Sequence, residues 1–144
     1  MKLAHFAELR VFSYEGEDEK KIAEKLKELV LDGKVNLNES SAEGLNDRKI
    51  RIFEIRLEKD SQINKFLQNL TEKLSREQKE LLIRQAESRL DSEFNFFLRL
   101  DKEKLLENKY WLTDSGNCFH VKIVIACFPR TREKALEVVR NLFK

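Results

Sequence analysis

Polar and apolar residues alternate with a period of two over residues 3–14. Leu9, Val11 and Ser13 fall on one side, and Arg10, Phe12 and Tyr14 on the other. That period predicts a strand. Glu17-Asp18-Glu19 follows, and acids there meet the positive end of a helix. Ile22, Ala23, Leu26, Leu29 and Val30 form an apolar stripe at helical spacing, with Gly33 as the stop signal. Val35 and Leu37 predict a short strand, and the polar residues 38–48 a loop. Residues 49–57 predict a strand of imperfect alternation. Ile50 and Ile52 have one parity and Phe53, Ile55 and Leu57 the other, so a bulge is expected near residue 52.

Two helices are expected next, through Ile63, Phe66, Leu67, Leu70 and Leu74, and then through Leu81, Leu82, Ala86 and Leu90. Ser75-Arg76-Glu77-Gln78 between them is a capping box. Residues 94–100 alternate again, with Phe94, Phe96, Leu98 and Leu100 on one face and Asn95, Phe97, Arg99 and Asp101 on the other. Asp101 is placed to cap a short helix, residues 119–128 form the clearest strand, and Thr131 caps a last helix.

The order is β-α-β-β-α-α-β-(α)-β-α, and residues 1–144 read as a single domain. The predicted class is α+β: a two-layer sandwich with a mostly antiparallel or mixed sheet packed on helices. Phe96, Leu98, Val121, Ile123 and Ile125 are the expected core under the helices. The opposite sheet face is then what a partner meets.

Composition narrows the class without naming a function. The 144 residues suffice for one core. With 4 Gly and 1 Pro, collagen-like and linker-like chains are excluded. Lys and Arg number 28 against 26 Asp and Glu, a net charge of +2, so the chain is no polycationic tail. The first residues lack a long apolar run and no stretch approaches a membrane span, so the expected location is the cytoplasm, with no membrane partner.

Chemistry is sparse. The histidines are His5 and His120, and neither has an evident nucleophile or acid beside it. Cys118 and His120 are an i, i+2 pair on one strand, short of the ligand set of a zinc site. Scattered glycines exclude the phosphate loops that need them at fixed spacing. No catalytic residue, metal or cofactor is therefore assigned. Cys127 is expected as a buried thiol, because two cysteines nine residues apart on one strand lie about 30 Å apart, beyond disulfide reach.

Basic residues interleaved with aromatics are more telling. The free parity carries Arg10, Phe12, Tyr14, Phe97, Arg99, His120 and Lys122, with Lys49 and Arg51 on a neighbouring strand. Residues 116–144 hold six Lys and Arg against two Glu. Cations bind phosphate, and aromatic planes stack on unpaired bases. The competing reading makes Phe12 and Phe97 a second small core and the charges mere solvation.

The stretch Arg89-Leu-Asp91-Ser-Glu-Phe-Asn95-Phe-Phe-Leu-Arg99-Leu-Asp101-Lys102 resembles the signature of a small archaeal family described as RNA-binding proteins or predicted exosome subunits. The resemblance extends to the opening strand, the junction at Leu74–Gln78, the strand at 119–128 and the helix at 132–137. It implies a fold similar to the ribosomal protein that carries the small ribosomal RNA of the large subunit. It also implies RNA association. Where the family usually has a glycine before the Asn, this chain has Phe94, and the Gly-Asn-Pro-like turn before the third strand has become Glu43–Ile50, with Gly44 but no proline.

The expected function is a non-catalytic RNA-binding protein, an accessory subunit of an RNA-processing or exosome-like complex. The residues expected to contact RNA are Arg51, Arg99, Lys102, Lys122, Arg130 and Arg132, with Phe97 as a stacking platform. For the Arg99-Asp101-Lys102 motif a structural role competes, with Asp101 as a cap and Arg89 or Arg99 paired to Asp91. The alternative function is a protein-interaction or self-association module, such as a homodimer, without nucleic-acid contact.

Overall fold

The computed structural model describes residues 2–31 and 33–144. It begins with β1 (Ala4–Tyr14), α1 (Glu19–Val30), β2 (Asn38–Glu43) and β3 (Lys49–Leu57). Three helices follow: α2 (Asp60–Lys73), α3 (Arg76–Arg84) and α4 (Ala86–Arg89). Then come β4 (Asn95–Asp101), α5 (Lys102–Leu106), β5 (Cys118–Ile125) and α6 (Arg132–Phe143). The five strands make one antiparallel sheet in the order β2-β3-β1-β5-β4. This is the α+β arrangement that the alternation predicts.

Helices cover one face of the sheet. Leu9 and Val11 of β1, Phe53 and Ile55 of β3, Phe96 and Leu98 of β4, and Val121 and Ile123 of β5 are all buried. The Phe96 ring lies 5.9 Å from that of Phe143 on α6, which fixes the side to which this parity points. The caps fall where the sequence puts them. Ser75 Oγ accepts from the Gln78 N–H at 3.2 Å, Asp101 Oδ2 from the Lys104 N–H at 3.0 Å, and Thr131 Oγ1 from the Lys134 N–H at 3.2 Å. Each such cap stabilises its helix by about 1 kcal/mol.

Several expectations are corrected. No bulge interrupts β3, which pairs with β1 in continuous register from Leu57 to Ile50. Ile50 and Ile52 simply face the open side, half-buried. The second strand lies at Asn38–Glu43, inside the expected loop, and not at Val35–Leu37. Every residue of it is exposed, so it leaves no hydrophobic signal. Helix α1 ends at Val30 and is capped by Leu31, whose φ is 56°, two residues before Gly33. The helix expected through Leu90 breaks at Gln85 into α3 and α4. Strand β5 stops at Ile125, so Cys127 lies beyond it and is half-buried, and Cys118 is the buried thiol.

Phe94, the residue before β4, has φ at +67°. That left-handed region favours glycine. Phe94, where the resemblance implies a glycine, thus adopts a conformation that glycine favours. It also buries its ring beneath the Arg130 guanidinium, 4.6 Å from the centroid.

Candidate nucleic-acid interface

The register of the sheet decides which side chains meet on the open face. Arg10 of β1 pairs with His120 of β5, and His120 with Arg99 of β4. Glu54 of β3 pairs with Arg10 from the other side. The rung across four strands is thus Glu54, Arg10, His120, Arg99. The next rung is Arg56, Glu8, Lys122, Phe97. Strands stand about 4.8 Å apart, so each rung is a short, straight row of charge.

Charge is sorted along these rungs. On the β3–β1 half, cations and acids neutralise one another. Arg10 Nε lies 3.5 Å from Glu54, and Arg56 reaches Glu8 at 2.7 Å and Glu58 at 2.8 Å. The Arg56 guanidinium also covers the Phe6 ring at 3.8 Å. On the β5–β4 half the balance is lost. Arg99 Nη1 donates to the neutral carbonyl of Asp114 at 3.0 Å, and Lys122 approaches Glu8 only to 4.0 Å. Among the described residues Arg99 forms no ion pair. Phe97 stands beside them with 43% of its surface exposed.

His120 records this field. Burial first, and then the positive charges of Arg99, Arg10 and Lys102, hold its imidazole below the ordinary value. The neutral form is thereby favoured, and the ring packs edge-on against Phe12, with ring centres 5.8 Å apart. Around these residues the face is hollowed by about 440 Å³ between Arg10, Phe97, Arg99, His120 and Lys122, with Glu8 and Glu54 also lining it.

The expected contact residues divide into three groups. Phe97, Arg99 and Lys122 share the open face. Arg130 lies exposed over the buried Phe94 ring just before β4, where Ile125 N–H donates to the Phe94 carbonyl at 2.9 Å, and does not line the hollow of the open face. The others are elsewhere. Arg51 has the parity of Phe53 and lies on the helix side, 3.3 Å from Glu19 and 3.1 Å from Glu39. Lys102 is 1% exposed, and its ammonium donates to the Phe12 carbonyl at 2.6 Å and to Glu17 at 3.1 Å. Arg132 clamps α4 and the chain after it, donating to the carbonyls of Glu87 at 2.6 Å and Leu90 at 3.0 Å.

Much of the signature is thereby explained by architecture. Asp91 accepts from the Glu93 and Asn95 N–H groups and from the Asn95 side chain, each at 2.9 Å, and closes the loop that leads into β4. Desolvation raises the Asp91 carboxyl, but these hydrogen bonds outweigh it and hold the group low. Asp91 pairs with neither arginine: Arg89 Nη2 donates to Gln85 at 2.7 Å. Arg10 and His120 were on the legible parity, yet only the cross-strand register shows that they flank one point.

An antiparallel sheet with helices on one face and exposed aromatics and cations on the other is the build of proteins that recognise RNA on a sheet surface. The family model described as RNA binding matches residues 7–125, and the chain belongs to that family. An RNA-binding protein of Pyrococcus abyssi is 28% identical over 142 residues, covering 96% of this chain and 92% of that relative. The crystal structure of a DUF54 protein from Archaeglobus fulgidus superposes with a TM-score of 0.85 at 29% identity, over 96% of this chain and 99% of that one. A DUF54 protein from Methanothermobacter thermautotrophicus gives 0.82, also at 29% identity, over 99% and 100%.

Proposed function

We propose that this protein is a non-catalytic RNA-binding module that receives RNA on the β5–β4 half of its open sheet face. The observation that carries the reading is the sorting of charge. Among the described residues Arg99 forms no ion pair and Lys122 meets Glu8 only at 4.0 Å, next to the exposed Phe97, while Arg10 and Arg56 of the other half are paired at 3.5 and 2.7 Å. An unneutralised cation gains most from a phosphate, because no internal ion pair is broken to bind it. Family membership and the Pyrococcus abyssi relative support the same class of ligand.

In the same reading the protein works in the cytoplasm as an accessory subunit of an RNA-processing or exosome-like complex, with a fold akin to the ribosomal protein that carries the small ribosomal RNA. Arg51, Lys102 and Arg132 serve the architecture and not the RNA. Among the described residues no helix is long and apolar enough to cross a membrane.

The test is RNA affinity against salt, with Arg99→Ala beside the wild type. If Arg99 meets phosphate, affinity falls while thermal stability hardly moves, because its internal partner is a single carbonyl. The reading is overturned if the purified protein binds no RNA at low salt, where the electrostatic attraction is largest.

A further inference from the structure

Phe97 and Arg99 stand two positions apart on one face of β4, and Lys122 is the direct cross-strand neighbour of Phe97. Two residues of strand span about 6.6 Å, a gap that one ribose bridges between a base and its phosphate. The hollow they border, about 440 Å³, is of the size that encloses a small molecule, ~300–1,000 Å³. It is also one-sided. Phe97, Arg99 and Lys122 line it from β4 and β5, and Glu8, Arg10 and Glu54 from β1 and β3. Glu54 and Glu8 are paired with Arg10 and Arg56, so that side offers no free cation to a second phosphate, and the hollow favours one nucleotide over a run of backbone.

Resting on the reading of this face as an RNA interface, we propose that the hollow takes a single unstacked nucleotide from a single-stranded RNA segment. The base lies on the Phe97 ring and its phosphate on Arg99 and Lys122. A duplex offers no free base face, since each base is stacked on its neighbours, and it presents only sugar and phosphate to a broad sheet. Phe97 is therefore an element of discrimination between strand states, whereas the cations alone would attract either form.

The experiment is fluorescence anisotropy at low salt with a labelled single-stranded RNA and with the same strand annealed to its complement as a blunt duplex. The proteins are the wild type, Phe97→Leu and Phe97→Tyr. The wild type is expected to bind the single strand about 10-fold or more tighter than the duplex, and Phe97→Leu to lose about 5- to 20-fold on the single strand alone. Phe97→Tyr keeps the ring and keeps the affinity. Equal binding of the two forms, or a Phe97→Leu protein that binds the single strand as well as the wild type, overturns this inference and leaves the RNA reading standing. Absence of binding to both forms overturns both. If Phe97→Leu does not fold, the wild-type ratio of single strand to duplex decides.

Discussion

The Lys102 ammonium lies 3.1 Å from Glu17 Oε1, joining the start of α5 to the turn that precedes α1. Lys102 is buried and Glu17 is only partly so, and that asymmetry makes the two halves of the pair unequal. Removing the carboxylate leaves a buried cation with the neutral Phe12 carbonyl as acceptor and no opposing charge. Removing the lysine removes the charge itself. Glu17→Ala is therefore expected to cost about 3–5 kcal/mol and Lys102→Met clearly less. Urea unfolding of both variants checks the order, and a larger loss for Lys102→Met would contradict it.

Phe96 faces Phe143 and is fully buried. Phe96→Ala should lose about 3–5 kcal/mol by transfer and cavity formation together. A loss below ~1 kcal/mol in chemical denaturation would mean that this face of β4 is not packed as described.

At position 94 the usual ranking of alanine over glycine should reverse. Both substitutions lose the ring under Arg130, but only glycine occupies φ of +67° without strain. Phe94→Gly is expected to be more stable than Phe94→Ala by about 1 kcal/mol. Paired thermal melts of the two variants measure the difference directly.

His120 gives the protein a defined response to acid. Its folded-state pKa lies below the ordinary 6.5, with burial first and Arg99, Arg10 and Lys102 next as causes. The unfolded chain therefore binds the proton more readily. The group costs nothing above about pH 6.5, and stability declines as pH falls below that value. His120→Gln should flatten this part of the stability curve, measured as melting temperature against pH. RNA phosphate beside the imidazole acts in the opposite sense and favours its protonated form, so affinity should rise as pH falls through the same window.

Salt dependence separates the open face from the helix side. With about two or three phosphates engaged on this face, log affinity against log salt should slope at roughly −1.4 to −2. Lys122→Ala should make that slope shallower by about 0.7 and weaken all sequences alike. Arg51→Ala should leave it unchanged, because Arg51 is spent on Glu19 and Glu39. An equal effect of the two substitutions would place the RNA elsewhere.

Four of the strands and the helix caps are legible in the sequence because burial on one face imposes a period on the side chains. Strand β2 is not, since none of its residues Asn38–Glu43 is buried and backbone pairing to β3 alone defines it. The candidate interface is half legible for a related reason. Parity places Phe97, Arg99, His120 and Lys122 on one face, but parity is silent about neighbours across strands. Only the register reveals that Arg10 is tied to Glu54 while Arg99 has no such partner. Lys102 misleads because its fate depends on Glu17, 85 residues away in the chain.

The two margins of the sheet differ in what they permit. Beyond β4, Leu90 and Leu112 already form bridges with Phe96 and Leu100, so that margin is occupied. Beyond β2 the backbone is open, but Glu39 and Glu43 share the parity of Phe53 and point toward the helix side. A strand from another molecule that added there would have to bring those carboxylates under its own apolar surface. Inward-pointing charge of this kind guards an exposed margin against sheet-to-sheet growth. The protein thus carries its protection against fibre formation at the strand farthest from Phe97, where acidic residues do not weaken the attraction of the cations for an anionic ligand.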